Sequence, residues 1–214
     1  MNEAPPVEVS GNLAADDAAR FIGRAIGLII AVASLVAFTA AAILMVEKLM
    51  LINDPDYVPT CSINPILSCG SIMESDQAEA FGFPNPLLGL MGFGLLSILG
   101  AAAALGARIS KVTWLAAQVA VTFAFGFVCW LIFQSLYRIA ALCPYCLAVW
   151  VAVFTLFIYV TLFNLSSGNI STPARLKPVV ETAVRFHGVV LTVALVTVVF
   201  LICEAFWDYW STLP

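Results

Sequence analysis

The sequence predicts an all-α integral membrane protein with five transmembrane helices. Of its 214 residues, 62% are hydrophobic and 10% are charged, and the mean hydropathy is +1.02. A soluble domain carries roughly 25% charged residues, so this composition excludes that class. The ionisable residues divide the chain into five uncharged stretches, each close to the roughly 20 residues that cross a bilayer. These stretches are residues 25–46, 86–107, 112–137, 141–163 and 186–203.

The first stretch is predicted to be a retained span. The leader before it carries four acidic residues, and the apolar run is longer than the core of a typical signal peptide. The second stretch begins at Pro86 after a turn-rich approach, and the third begins after Lys111. The fourth starts at a pair of cysteines. The fifth is the shortest and lies near the lower limit for a span, but we count it as crossing.

Lysine and arginine residues set the predicted orientation, because they accumulate in short cytoplasmic loops. With a cytoplasmic N-terminus, only Lys48 and Arg138 lie outside. The other seven lie inside: Arg20, Arg24, Arg108, Lys111, Arg175, Lys177 and Arg185. The predicted location is therefore the cytoplasmic membrane, with the first loop and the turn between the third and fourth spans on the extracytoplasmic side.

Four of the six cysteines fall in those two exterior segments. Cys61 and Cys69 lie in the first loop, whereas Cys143 and Cys146 begin the fourth span. The exterior is the oxidising side, where disulfides form and persist. Residues three apart on a helix share one face, so Cys143 and Cys146 can alternate between dithiol and disulfide. The sequence therefore predicts two redox pairs on one side of the membrane.

The start of the fourth span favours a thiolate. Pro144 suits the first helical position, which makes Cys143 a predicted N-cap and places Cys146 in the first turn. Unpaired backbone N–H groups and the helix dipole stabilise a thiolate there. The single histidine, His187, lies at the opposite side of the membrane. A histidine-assisted cysteine hydrolase is therefore disfavoured.

Thiols at the outer mouth of an apolar bundle predict electron transfer to an acceptor that dissolves in lipid. A quinone, such as menaquinone or ubiquinone, fits this description. Thiol–disulfide exchange passes electrons through mixed disulfides. In the predicted relay, an exterior dithiol reduces the Cys61 and Cys69 pair. This pair reduces the inner pair, and the inner pair reduces the quinone.

Three features together resemble the bacterial members of the vitamin K epoxide reductase family. They are the loop cysteines with seven residues between them, the run Phe-Pro-Asn-Pro-Leu-Leu-Gly at 83–89 and the Cys-Pro-Tyr-Cys motif at 143–146. The likeness covers roughly residues 24–163. It implies a four-helix bundle around a quinone site, with the fifth span as an additional helix.

The resemblance also implies a role for each cysteine. Cys146 corresponds to the cysteine nearest the quinone, and Cys143 to the one that exchanges with the loop. Cys69 corresponds to the loop cysteine that attacks the inner disulfide. Cys61 corresponds to the cysteine that meets the protein partner.

The same resemblance implies quinone-binding residues. Asn85 matches an asparagine that bonds one quinone carbonyl. Trp150 occupies the position of a tyrosine that bonds the other carbonyl in the vertebrate enzymes, and its indole N–H can still donate. Ser75 matches a serine in the loop of the family.

A lid is predicted from the loop segment at 76–83, which reads as a short helix. Glu79 and the neighbouring acids would stay in water, whereas Phe81 and Phe83 would face lipid or the quinone ring. Phe81 and Phe83 therefore join the candidate quinone-binding residues.

The chain is predicted to act with a separate protein, because it ends at Pro214 whereas many bacterial relatives continue into a fused thioredoxin-like domain. The expected partners are an exported thioredoxin-fold protein, the quinone and the lipid bilayer, and no nucleic acid is expected. The predicted divisions are a cytoplasmic segment at 1–24, a redox bundle at 25–163 with an exterior loop at 47–84, a cytoplasmic loop at 164–186, a fifth helix at 187–206 and an exterior tail at 207–214.

Other interpretations stay open. Cys61 and Cys69 can form a plain structural disulfide, and Cys143 and Cys146 can be a helix-end staple or small buried hydrophobes. All four can bind zinc, although no metal site is expected. Asn85 can be a helix cap. The alternative functions are a non-enzymatic membrane scaffold with structural disulfides, and a relative of the other bacterial quinone-linked disulfide generator, which carries its paired-thiol motif in the first exterior loop.

Overall fold

A computed structural model of the protein describes residues 7–64 and 66–211. The predicted N-terminal segment at 1–24 and the exterior tail at 207–214 therefore lie partly outside the described residues. Five helices are long and apolar enough to cross a membrane, which confirms the predicted all-α architecture.

The helices follow one another with short connections, apart from the loop between α1 and α3. They are α1 (Val7–Asn53), α2 (Cys69–Met73), α3 (Pro86–Ala104), α4 (Lys111–Gln134), α5 (Pro144–Ser166), α6 (Lys177–Arg185), α7 (His187–Ala205) and α8 (Trp207–Ser211). Two 3-10 turns lie at Asp76–Glu79 and Ala174–Leu176, and a π-helical turn at Ser135–Ile139 extends α4. The spans are α1 from Gly23 onward, α3, α4 with its π-helical turn, α5 and α7.

Helix α1 extends beyond the predicted first span at both ends. It has 47 residues and is about 70 Å long. At the cysteine-bearing end it continues past Glu47 to Asn53, so the loop predicted to start at residue 47 starts at Asp54. The predicted end rested on the charge of Glu47. That side chain is buried and hydrogen-bonded, and a carboxylate satisfied in this way does not end a helix.

Four of the spans form an open ring. Helix α1 packs against α3 and α5, and α5 packs against α4. No comparable packing joins α3 to α4 within the described ranges. The ring therefore has a seam between α3 and α4. Helix α7 packs against α5 and the π-helical turn, and none of its described residues is buried, as expected of an additional helix.

Small residues bring α1 and α3 into close contact. A Cβ atom added at Gly27 would lie 2.5 Å from the backbone nitrogen of Ala104, and one added at Gly100 would collide with the backbone of Ala31. Lipid offers no hydrophobic driving force between helices, so membrane bundles depend on such close backbone approach. These two glycines allow α1 and α3, the helices that flank the exterior loop, to pack closely.

We expect Gly100→Ala to destabilise the protein, because the collision is with backbone atoms and the two helices must separate. Overpacking of this kind costs about 1–3 kcal/mol, which exceeds the gain in helix propensity of about 1 kcal/mol. Thermal unfolding in detergent measures the effect. Gly126→Ala is the control, because a Cβ there meets nothing within 4 Å. Equal melting temperatures for the two variants would contradict this account of the packing.

Candidate redox site

Backbone hydrogen bonds align the exterior loop with the start of α5. The N–H of Leu142 donates to the carbonyl of Ile66 at 2.7 Å, and the N–H of Ser68 donates to the carbonyl of Leu142 at 2.9 Å. These bonds form a bridge between Leu67 and Leu142. Cys143 directly follows Leu142, and Cys69 lies two residues after Leu67. The pairing therefore brings together two cysteines that are 74 residues apart.

A left-handed residue directs the chain into that bridge. Ala140 has a φ of 55° and ends the π-helical turn. A residue other than glycine rarely adopts this conformation. The hydroxyl of Ser135, one turn earlier, donates to the carbonyl of Ala141 and holds the turn closed. The left-handed turn and this hydrogen bond thus fix the path from α4 into the residues just before the cysteine motif.

The sulfur atoms are arranged for exchange. Cys61 and Cys69 form a disulfide, whereas Cys143 and Cys146 are free thiols. The Sγ of Cys143 lies 3.0 Å from the Sγ of Cys69. Cys69 and Cys143 are buried, with exposed fractions of 0% and 1%. A reduced sulfur therefore lies in contact with an oxidised pair, in a place that water does not reach.

Hydrogen-bond donors around the sulfur of Cys143 favour its thiolate. The Cys146 thiol donates to its sulfur and lowers the pKa of Cys143 below the ordinary value, against the opposing effect of burial. The backbone N–H groups of Cys146 and Tyr145 lower this pKa further, whereas the charge of Glu47 raises it. Cys143 is the N-cap residue of α5 and Pro144 is its first residue, as the sequence predicted. The thiolate is the reactive form in exchange, so these donors favour Cys143 as the sulfur of the inner pair that exchanges with the loop.

Three sulfurs form a compact cluster. The sulfur atoms of Cys61, Cys69 and Cys143 lie within 4.8 Å of one another. Two of them are joined in the disulfide, so they offer no thiolate to a metal ion. This donor set fits disulfide exchange better than the four-cysteine zinc site.

A cavity of about 410 Å³ lies beneath the sulfur cluster, between the four helices of the ring. Its volume is in the range of small-molecule sites, and its lining is almost entirely apolar with a few polar groups. Among the predicted site residues, it is lined by Cys69, Ser75, Asn85, Cys143, Cys146 and Trp150. Cys61 is not among the lining residues and lies behind Cys69.

The seam between α3 and α4 opens this cavity toward the lipid. Met91 and Leu95 of α3 line the cavity, as does Phe123 of α4. The same three side chains are exposed on the surface of the protein. An apolar molecule can therefore reach the cavity from the bilayer without crossing water.

Asn85 supports the lid and does not cap α3 with its side chain. Its Nδ2 donates to the carbonyl of Gln77 at 2.7 Å, and its Oδ1 accepts from the N–H of Ala80 at 3.2 Å. No side-chain cap bond forms at the start of α3. The second hydrogen of Nδ2 has no partner among the described residues and is available to the cavity. The hydroxyl of Ser75 is occupied by the carbonyl of Ile72 at 2.6 Å.

Trp150 presents a hydrogen-bond donor without a protein acceptor. The side chain is 4% exposed and lines the cavity. Its indole N–H, which can only donate, bonds to none of the residues that the structure describes. This donor is therefore available to a carbonyl oxygen in the cavity.

The lid aromatics lie one layer further out than the sequence suggested. Phe81 and Phe83 are not among the lining residues. Phe81 packs instead on Phe127 and Phe123, with ring centroids 5.3 and 6.2 Å away, and those two rings line the cavity. Phe123 and Phe127 were not among the predicted site residues, although their spacing of four residues puts both on one face of α4.

The segment predicted to be a lid is helical over fewer residues than the expected 76–83. Its 3-10 turn ends at Glu79, and Gly82 has a φ of 80°. This left-handed residue turns the chain toward α3, which glycine does without steric cost. The lid is therefore a tight loop, and its hold on the bundle depends on a few side-chain contacts.

The comparison with known proteins covers this whole region. A family model described as the vitamin K epoxide reductase family matches residues 28–161. The matched segment includes the loop disulfide, the inner thiols, the whole of α3 and α4, and parts of α1 and α5. No curated protein matches the chain.

Proposed function

The chain belongs to the vitamin K epoxide reductase family, and from this premise we propose that it is a quinone-dependent enzyme that generates disulfides in exported proteins. Family membership and five spans make it a multi-pass membrane thiol–disulfide oxidoreductase. The proposal adds the electron acceptor, the protein partner and the side of the membrane. The observation that carries it is the 3.0 Å contact between Cys69 and Cys143 above an apolar cavity.

The four cysteines perform a balanced exchange. A reduced partner transfers two electrons and two protons to the Cys61–Cys69 disulfide and leaves with its own disulfide closed. The Cys69 thiolate then attacks Cys143 of the inner disulfide and releases Cys146 as a thiol. Cys61 attacks Cys69, which frees Cys143 and re-forms the loop disulfide. The inner dithiol returns to its disulfide when it gives two electrons and two protons to a quinone. The quinone would supply this oxidation and would leave as a quinol.

The redox state of the structure corresponds to one point in that cycle. The loop pair is oxidised and the inner pair is reduced. This is the state after electrons have reached Cys143 and Cys146 and before they leave. The contact between Cys69 and Cys143 supports exchange in this state, because the mixed disulfide of these two residues is the intermediate in both directions.

The cavity residues fit a quinone head. The apolar lining suits a flat ring, and Cys146 lies on the cavity wall. The free N–H groups of Asn85 and Trp150 are the donors that two carbonyl oxygens require. The seam between α3 and α4 would let an apolar tail remain in the bilayer.

The partner and the membrane side follow from sulfur chemistry and charge. A disulfide at Cys61 and Cys69 persists on the oxidising side, and lysine and arginine accumulate at the opposite ends of the spans. We therefore place the site on the extracytoplasmic side of the cytoplasmic membrane. The partner would be an exported thioredoxin-fold protein that meets Cys61. A scaffold with structural disulfides does not require a free thiol in contact with a disulfide, as Cys143 is with Cys69.

The direct test is an anaerobic assay with the purified protein. A reduced thioredoxin-fold protein and a short-chain quinone are mixed with catalytic amounts of the enzyme, and quinol formation is followed by absorbance. We expect one quinol for each partner disulfide formed. Quinol that forms without partner oxidation, or no quinol at all, would refute the proposal. Extraction and mass spectrometry of the purified protein identify the quinone it carries.

Trp150 provides a separate test of the cavity. Trp150→Phe removes the indole N–H and should raise the KM for quinone about threefold to tenfold, as expected for one hydrogen bond of about 0.5–1.5 kcal/mol. Trp150→Tyr keeps a donor in the same place and should leave quinone reduction near the wild-type rate or improve it. If both variants show the same KM as the wild type, Trp150 does not contact the carbonyl.

A further inference from the structure

Two consecutive residues of opposite charge hold the exterior loop to α1. Glu47 and Lys48 lie on the last turns of that helix, beyond the predicted end of the first span. One contacts the segment before Cys61, and the other contacts the segment after Cys69. Both cysteines of the loop disulfide therefore lie between the segments that these two side chains contact.

Glu47 holds the segment that leads into Cys61. Its Oε2 accepts from the hydroxyl of Tyr57 at 2.9 Å and from the N–H of Thr60 at 3.3 Å, and its Oε1 accepts from the Thr60 hydroxyl. The carboxylate is 6% exposed and has no cation partner in the described part of the chain. A buried charge is costly unless donors surround it. These donors therefore tie Thr60, the neighbour of Cys61, to one position on α1.

Lys48 holds the other side of the loop. Its Nζ donates to the carbonyl of Met73 at 2.7 Å and pairs with Glu79 at 3.0 Å. Met73 ends the short helix that begins at Cys69, and Glu79 ends the 3-10 turn of the lid. Lys48 also lines the cavity. Its contacts therefore tie the lid to the helix that forms the cavity wall.

We propose that Glu47 and Lys48 form a two-armed anchor, in which Glu47 positions the disulfide for exchange and Lys48 positions the lid over the cavity. The roles in turnover rest on the proposed function, whereas the roles in geometry do not. Neither residue reacts. Each acts through the segment that it holds, and the charge of Glu47 also raises the pKa of Cys143. Loss of that charge alone would favour the Cys143 thiolate and speed exchange, whereas loss of the fixed position slows exchange, so the sign of the change separates the two effects.

Glu47→Gln isolates the first arm. The substitution keeps the size of the side chain but removes its charge and replaces one acceptor oxygen by an NH2 group that only donates. This NH2 group cannot face the N–H of Thr60, and it can face a hydroxyl only if that hydroxyl reverses and accepts. The remaining bonds also lose their charged acceptor, so the segment before Cys61 is held less firmly. Exchange depends on sulfur alignment, and a displacement near 1 Å can cost about a hundredfold. We expect exchange between Cys143 and the loop disulfide to slow about tenfold or more.

The exchange rate can be measured without quinone. In a Cys146→Ser background, Cys143 can attack Cys69, and alkylation of the released Cys61 captures the mixed disulfide. Glu47→Gln should slow this capture and lower kcat with a protein dithiol, while the KM for quinone stays the same. Glu74→Gln is the matched control, because it removes an exposed acid from the same loop. Tyr57→Phe removes one donor and should produce a smaller effect in the same direction, which provides a second variant if Glu47→Gln folds poorly.

Lys48→Met isolates the second arm. We expect faster hydrogen exchange over residues 74–85 and a severalfold higher KM for quinone, with a smaller effect on the capture rate at Cys61 than Glu47→Gln has. Lys48→Arg should restore both values, because a cationic donor is retained. The proposal fails if the two variants shift the same readouts equally, or if neither shifts any. A wild-type protein that forms no quinol would refute the proposed function instead, since capture and hydrogen exchange still report on the anchor.

Discussion

Cys143→Ser and Cys146→Ser are each expected to reduce quinone-dependent oxidation of a protein dithiol to the uncatalysed rate. A serine hydroxyl cannot form the mixed disulfide that carries the electrons. The quinol assay measures the loss. Cys129→Ser is the control, because Cys129 is an isolated cysteine exposed on the outside of α4. Turnover that survives in either inner-pair variant would remove the central claim.

The two inactive variants should differ in what they accumulate. Cys143→Ser leaves the Cys146 thiol at the cavity wall, and a thiolate next to bound quinone gives a visible charge-transfer absorption. Cys146→Ser leaves Cys143 in contact with Cys69, so it should accumulate the mixed disulfide of that pair without the absorption. Identical spectra and identical disulfide patterns would show that the two thiols have no separate roles.

Cys61→Ser is expected to abolish turnover with the thioredoxin-fold partner while a small permeant dithiol still drives quinone reduction. Cys61 is the loop sulfur that does not line the cavity, so its loss blocks the handover from a protein without altering the inner pair. The measurement compares quinol formation with both reductants in the same preparation. Cys203→Ser, at another exposed cysteine, is the control.

The comparison between reductants decides between a relay and a single active pair. If Cys61→Ser loses equal activity with both reductants, the loop pair is part of one reaction centre and does not pass electrons on. If neither activity falls, the protein partner meets Cys143 directly. The burial of Cys143 beneath the loop argues against direct access by a protein.

The sequence alone predicted the class and the chemistry of the site. Segment length and hydropathy located five spans, because the cost of leaving apolar surface in water is a local property of each segment. Pro144 identified the start of α5 and the N-cap position of Cys143, because proline lacks the N–H that a helix interior needs. The family resemblance supplied Asn85 and Trp150, and the structure places both on the cavity wall.

The predictions that differed from the structure concerned contacts between distant segments. Phe81 and Phe83 were expected to face lipid or the quinone ring. They lie outside the cavity lining, which includes Phe123 and Phe127. Glu47 was placed in a loop because its charge ended an apolar run. In the structure, donors from ten and thirteen residues later keep it buried within α1. The composition of an apolar run does not show which later residues will donate hydrogen bonds to a charged side chain within it.

The sequence by itself determined that the protein is a five-span membrane protein with two cysteine pairs at one end. The family resemblance implied that Cys69 exchanges with Cys143, but the tertiary structure alone decided how these two sulfurs are held together and where the cavity opens. Cys69 and Cys143 meet through the bridge between Leu67 and Leu142, and the open seam between α3 and α4 leaves room for a ligand below them. Hydropathy acts on each segment separately, whereas these features depend on the simultaneous packing and hydrogen bonding of segments far apart in the chain.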